Sequence, residues 1–277
     1  KLRMRAISQG TTQDNLSLEK LRTFDVLTPP LPTQHKIASI LSAYDDLIEN
    51  NTRRIKILEE MAQAIYREWF VHFRFPGYEN VPMVDSELGQ IPQGWEVKRL
   101  SDLVSTQYGY TESASEKPIG PKFLRGTDIN KTSYIDWGSV PYCPISEDDH
   151  AKYKLSKGDI CIIRMADPGK TGIVEEDVDS VFASYLIRLA ITTSEITPYY
   201  LFYFLTSDSY QGYITGASTG TTRKSASAPV ITDVPINVPS DSFLRNFDSE
   251  ITPLRTSLNV LLNKNQNLRK TRDLLLP

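Results

Sequence analysis

Two stretches of this chain carry the same apolar stepping. In the first, Ile37, Leu41, Tyr44, Ile48, Ile55, Leu58, Ala62, Ile65 and Trp69 recur in alternating fours and threes, interrupted by Asn51. In the second, Phe247, Ile251, Leu254, Leu258, Leu261, Leu268 and Leu275 keep the same steps, interrupted by Asn265 and Arg272. A mean spacing of about 3.5 residues is the seam that two supercoiled helices need. Ile37 and Phe247 lie 210 positions apart, and the same offset carries Gly10-Thr11-Thr12 onto Gly220-Thr221-Thr222 and Pro29 onto Pro239. A repeat of this size predicts two-fold pseudo-symmetry.

The seams predict two long helices. The first runs from Thr33 to about Phe73, capped by Thr33 after Pro29-Pro30-Leu31-Pro32; the second runs from Asp241 to Leu276, bent near its start by Pro253. Asn51 and Asn265 are the only amides in the two seams, and a buried amide without a partner costs about 1 to 3 kcal/mol. An antiparallel pairing that lets them meet is therefore expected. It sets Trp69 against Phe247, Ala62 against Leu254 and Tyr44 against Arg272.

The remainder divides by its punctuation. Residues 1–30 read as the tail of a module, with a helix-like Ser17 to Leu21 closed by Pro29 and Pro30. Segment 31–74 is the first long helix, and 75–94, rich in Pro and Gly, is an ordered linker. Segment 95–240 is a mixed α/β module, in which Ile160 to Met165 follows a Lys157-Gly158-Asp159 turn and Val181 to Ile191 is a further β-rich run. The aromatic stretch Pro198 to Tyr210 is helix-like and belongs to the core, and segment 241–277 is the second long helix. The fold class expected is α+β: one mixed module plus two long helices in an antiparallel coiled coil. Because the chain opens at Lys1, we expect it to be a trimmed piece whose complete first module extends upstream by about a hundred residues or more.

Composition narrows the chemistry. Apolar runs such as Ile160-Cys161-Ile162-Ile163 fall far short of the roughly 20 residues of a membrane helix, and no signal peptide opens the chain. A soluble, cytoplasmic protein is the default. Cys143, Cys161, His35, His72 and His150 have no metal-ligand spacing. With 31 Lys plus Arg against 34 Asp plus Glu, the net charge is −3, so any nucleic-acid contact must be local. The acidic clusters Glu147-Asp148-Asp149 and Glu175-Glu176-Asp177 are expected to face away from phosphate.

Five segments resemble a known family, the specificity subunit of type I restriction-modification enzymes. They are PPLPTQHKIASILSAYDDLIENN (Pro29 to Asn51), ELGQIPQGWEVKRLSDLV (Glu87 to Val104), KLSKGDICIIR (Lys154 to Arg164), FASYLIR (Phe182 to Arg188) and NQNLRKTRDLLLP (Asn265 to Pro277). In that family two target-recognition domains alternate with two conserved helical regions. The resemblance implies the C-terminal remnant of a first recognition domain in 1–30, a central conserved helix in 31–74, a second recognition domain in 95–240 and a distal conserved helix in 241–277. It also implies a subunit without catalysis of its own, which reads double-stranded DNA and holds two methyltransferase subunits, with two motor-nuclease subunits able to join. No cofactor is expected on this subunit; the assembled complex is expected to use S-adenosylmethionine, and ATP and Mg for restriction.

The residues agree in what they lack. No Asn/Asp-Pro-Pro-Tyr/Phe motif is present to hold a flipped adenine, and no Gly-x-x-x-x-Gly-Lys-Ser/Thr loop to cradle phosphates. Asp85 with Glu96-Val97-Lys98 has the letters of a nuclease carboxylate pair, but outward positions of an alternating strand explain Glu96 and Lys98 equally.

DNA contact falls to loops that deliver donors and charge. Thr221, Thr222, Arg223, Lys224 and Ser225 combine hydroxyls and two cations beside Gly220, against the alternative of a merely solvated loop. Gln13 and Asn15 would serve the first copy. Arg164, Lys170 and Thr171 flank the Asp167-Pro168-Gly169 turn, which can equally be an ordinary hairpin tip. Tyr108, Tyr110, Lys122 and Arg125 are further candidates, with packing for the tyrosines and an Arg125 to Asp128 pair as the competing reading. Ser184, Tyr185 and Arg188 are assigned to a central strand with a structural role. Two rival functions stay open: a coiled-coil protein-interaction scaffold without sequence-specific DNA binding, and a half-length specificity protein acting as a dimer.

Overall fold

A computed structural model describes residues 18–22, 28–218 and 224–276; Gln13 and Asn15 lie outside them. A short helix, α1 (Leu18–Arg22), precedes the first long helix, α2 (Leu31–Tyr66). The expected cap at Thr33 is corrected: helix α2 starts at Leu31, and Thr33 sits in its first turn, its N–H donating to the Pro30 carbonyl at 2.8 Å. Pro32 fits there because first-turn N–H groups have no intrahelical acceptor. Beyond Tyr66 a wider π turn, Arg67–Val71, continues the helix, and Phe73 at φ 55° ends it.

Helix α7 (Asp241–Leu274) packs antiparallel along α2. It runs through Pro253 as one element. Pro253 and Ser249, whose carbonyl loses its donor, are both exposed, so water can satisfy that carbonyl. The two seam asparagines meet, Asn51 Nδ2 donating to Asn265 Oδ1 at 2.9 Å, and Asn265 also donates to Thr52 Oγ1 at 3.3 Å. On one side of this pair the Trp69 and Phe247 rings lie 5.9 Å apart; on the other, Arg272 reaches helix α2. Ile55, Leu258 and Leu261 are buried together beside the asparagines, and Ala62 and Ile251 are buried farther along. The expected Tyr44 and Arg272 contact is replaced by one a residue away. Arg272 Nη1 binds Asp45 Oδ1 at 2.6 Å, because a charge-assisted hydrogen bond outweighs attraction to a ring face.

Residues 75–94, expected to be an ordered linker, contain a hairpin of β1 (Met83–Ser86) and β2 (Gly89–Pro92). Strand β3 (Glu96–Arg99) pairs with β10 (Pro235–Val238), joining the two ends of the mixed module. The module's principal sheet runs β4 (Val104–Tyr108), β9 (Leu186–Ile191), β6 (Ile160–Ile163), β7 (Thr171–Ile173), all antiparallel. A parallel pair, β5 (Lys122–Leu124) with β8 (Ser180–Phe182), lies beside it. Every residue of β6 is buried because the sheet is covered on both faces: Ile160 and Ile162 enter one core, Cys161 and Ile163 the other. Helix α4 (Pro198–Thr206) and the start of α5 (Asp208–Ala217) carry the aromatic stretch, in which Tyr200, Phe202 and Tyr203 are buried, in line with a core role; a short α6 (Ala228–Thr232) follows. The first acidic cluster opens helix α3 (Glu147–Tyr153), where the Ser146 hydroxyl accepts from Asp149 N–H and negative charge suits the helix start.

Besides a shared apolar core, one buried cation locks the mixed module to the helical pair. Arg255 on α7 is 1% exposed and holds Glu175 through two bonds, Nε to Oε1 at 2.9 Å and Nη2 to Oε2 at 2.5 Å. It also donates to the Ser133 carbonyl at 3.2 Å, stacks over Phe202 at 5.3 Å, and Ser133 in turn bonds Glu59 of α2. Glu175, of the second acidic cluster, is thus buried in an ion pair.

Two outcomes follow for stability. Asn51→Ala strands the Asn265 Oδ1 in the seam and should lower unfolding free energy by about 1 to 3 kcal/mol, whereas Asn51→Leu with Asn265→Leu should regain that loss while relaxing the register. Urea denaturation of single and double variants measures both. Arg255→Ala leaves Glu175 buried and unpaired and should cost about 3 to 5 kcal/mol. Arg255→Met with Glu175→Leu should recover most of it in the same assay.

Candidate nucleic-acid interface

The candidate interface is built where two loops distant in sequence meet. After β6 the chain turns through Ala166 and Gly169, both with positive φ, at 71° and 98°. Glycine is required at 169, since a Cβ there would fall 2.5 Å from Ile214 Cγ2. Ala166 has no such freedom and is held by the second loop, its N–H donating to the Lys224 carbonyl at 3.0 Å. Met165 bridges Ser225 as an antiparallel pair, and Ala226 N–H donates to the Arg164 carbonyl at 2.9 Å. Lys224 to Ala226 thereby form an added edge on the 164–167 turn. Thr221, Thr222 and Arg223 lie outside the described residues; Lys224 is exposed.

Tyr108 joins the same patch. Its hydroxyl accepts from Ala228 N–H at 3.1 Å, and the Arg164 guanidinium lies over its ring at 4.8 Å. The Arg164 N–H donates to the Tyr185 carbonyl at 3.0 Å, while its Nε is buried without a hydrogen-bond partner. Tyr185 is a correction: it precedes β9, outside any strand, and half of it is exposed. The continuous β-rich composition of Val181 to Ile191 hides the break between β8 and β9 from which it projects. Between Tyr108 and Tyr110 the chain passes so close to the end of β8 that only glycine fits at 109, where a Cβ would meet the Ala183 carbonyl oxygen at 2.2 Å.

A hollow of about 380 Å³ opens between the 164–167 turn, Tyr185 and the start of a one-turn helix at Gly126–Asp128. Arg125 lines it. Asp128, whose side chain is largely buried, accepts from Arg125 Nε at 3.1 Å, from Nη2 at 2.9 Å and from the Arg125 backbone N–H at 2.8 Å. These bonds hold the guanidinium above its ordinary pKa. Glu112, Asn130 and Asp167 add carboxylates and an amide to the lining, and Asn130 Oδ1 is buried without a partner.

Three candidates turn inward instead. Lys122 donates to the Val140 carbonyl at 2.6 Å and lies over the Tyr142 ring, so its charge is satisfied within the module. The Tyr110 ring packs on Tyr153, with centroids 5.3 Å apart. Thr171 is buried, its hydroxyl bonded to the Gly169 carbonyl, and supports the turn from below; Lys170 beside it is exposed. Arg188 is structural, bonded to the Lys154 carbonyl at 2.8 Å and to Gln107 at 2.5 Å. Lys98 is paired with Glu195 and Glu96, the solvent-side role of an alternating strand, and among the described residues no three His, Cys, Asp or Glu gather as metal ligands. Burial pushes the Cys143 thiol up to about 11 and Cys161 higher, so neither is a nucleophile at neutral pH. No helix among the described residues is long and apolar enough to cross a membrane.

The family described as the type I restriction modification DNA specificity domain matches residues 1–60 and 92–262. The specificity subunit of the type I restriction enzyme MjaIX of Methanocaldococcus jannaschii is 33% identical over 142 residues, covering 48% of this chain and 33% of that protein. That of MjaVIII from the same organism is 27% identical, covering 85% of this chain and 56% of that protein, and that of HindI from Haemophilus influenzae 23%, covering 99% and 72%. The chain thus spans between a third and three quarters of the length of these relatives. The crystal structure of the S subunit of a type I restriction-modification system from M. genitalium superposes over 99% of this chain and 68% of its own, with a TM-score of 0.59 at 17% identity, a likeness of fold.

Proposed function

The chain belongs to the type I restriction modification DNA specificity family, and from that premise we propose that it is a non-catalytic specificity subunit whose mixed module reads half of a bipartite DNA target. The observation that carries this reading is the bridge between Met165 and Ser225, which brings Arg164 and Lys224 together with Tyr108 and Tyr185; exposed Lys170 follows on the same turn. In a chain of net charge −3 this is the local cationic, hydroxyl- and amide-bearing surface that DNA needs. Exposed Lys170 and Lys224, continued by Arg223, serve phosphates; the hollow beside them serves base edges.

The helical pair is the spacer and scaffold. From Leu41 to Trp69 its overlap is about 42 Å long, enough to hold two recognition domains on separate half-sites with an unread gap. Outside the seam, Ile40, Leu47 and Met61 are 47%, 54% and 47% exposed at multiples of seven residues. A second apolar row at that period suits helices of a partner, here two methyltransferase subunits, to which two motor-nuclease subunits add. S-adenosylmethionine then belongs to the methyltransferase subunits, and ATP and Mg to restriction by the full assembly.

Selection from randomised duplexes tests the reading: one preferred half-site is expected, and binding without sequence preference would leave a coiled-coil interaction scaffold as the function. In the same assembly Arg223→Ala with Lys224→Ala should weaken all duplexes alike and flatten the log–log salt dependence by roughly 0.9 for each phosphate no longer neutralised. Adding one heptad to both α2 and α7 should lengthen the unread gap while leaving the half-site bases unchanged. Methylation mapping of a library with variable gaps reads this out.

A further inference from the structure

Arg125 is a candidate for general DNA contact, and its pairing with Asp128 looks at first like a reason to discard it. The geometry says otherwise. Asp128 occupies Nε and one hydrogen of Nη2, leaving Nη1 and the outer hydrogen of Nη2 without a partner among the described residues. Those two parallel N–H groups form the edge of a guanidinium that matches O6 and N7 of guanine. Because Asp128 is held in turn by the Arg125 backbone N–H, the fork is oriented before any ligand arrives.

The surroundings distinguish a base from a phosphate. Arg125 is already paired with a carboxylate, and Glu112 and Asp167 line the same hollow, so the site has no net positive charge to offer a phosphate. Carboxylates are instead acceptors suited to the N4 amine of cytosine, the partner of guanine in the same base pair. The cations suited to phosphate, Lys170 and Lys224, stand on the exposed turn and loop.

Resting on the proposal that this module reads DNA, we infer that Arg125, positioned by Asp128, is a specificity-determining residue that reads the guanine of one G·C pair through the major groove. The test uses the protein assembled with its methyltransferase subunits and a panel of duplexes in which each position of the selected half-site is varied in turn. Arg125→Ala keeps the backbone bond to Asp128. It should weaken binding of the preferred duplex about 5- to 150-fold, leave duplexes altered at that one G·C pair unaffected, and leave the salt dependence unchanged. Asp128→Asn keeps an acceptor for the backbone but loosens the fork, and should relax preference at the same pair and no other. Should the alanine variant fold poorly by thermal denaturation, the asparagine variant carries the test alone. Uniform weakening across all duplexes with a shallower salt dependence would make Arg125 a phosphate contact and overturn the inference while the DNA-reading proposal stands, and an unchanged preference profile would overturn it equally. A wild-type protein with no sequence preference would remove the proposal beneath it.

Discussion

An apolar core joins the mixed module to the helical pair, and one buried ion pair, Arg255 with Glu175, fixes how they sit on each other. Either charge left alone there would bear several kcal/mol of desolvation, so the pair exists only while α7, the Glu175 segment and the loop at Ser133 are in place together. Ser133 extends the constraint to Glu59 on α2. Gln266, donating to Asp136 at 2.5 Å, repeats it three turns farther along α7. A hydrophobic contact could hold the same surfaces together with some freedom to slide; a bidentate guanidinium fixes both distance and angle. That rigidity is what the proposed reading of half-sites at a set separation would require.

The helical pair obeys a related constraint in a different form. Apolar seams tolerate a shift of one heptad at modest cost, since leucine packs against leucine in either register. A single amide in each seam removes that freedom, because only one alignment lets Asn51 and Asn265 satisfy each other. Length and register of the spacer are thus set by polar atoms inside apolar surfaces, and the apolar atoms supply the adhesion.

The patch proposed to meet DNA is the opposite kind of structure. It is assembled from turns at the sheet edge, where Ala166 is held at positive φ and Arg164 Nε and Asn130 Oδ1 lack partners. The two-sided core behind β6 holds these turns in place without contributing to recognition.

Whatever depends on spacing within one segment is legible in the sequence alone. The seams, the meeting of Asn51 with Asn265, the buried run Ile160 to Ile163 and the aromatic core from Tyr199 to Phe204 are periodic or composed strongly enough to be read without coordinates. The start of α2 lies two residues before the expected one, because prolines just inside a helix resemble prolines just before it. The rest is settled only in the folded chain. Arg255 sits at helical spacing between Ile251 and Leu258, a visible anomaly, but nothing local names Glu175 as its partner 80 positions away. Lys122, Tyr110 and Thr171 have the right chemistry and are turned inward by contacts with Val140, Tyr153 and Gly169. Tyr185, expected on a central strand, emerges at the surface. Which way a loop side chain points is fixed by neighbours remote in the chain, and the pairing of Met165 with Ser225 across 60 positions is a contact that no period in the sequence encodes.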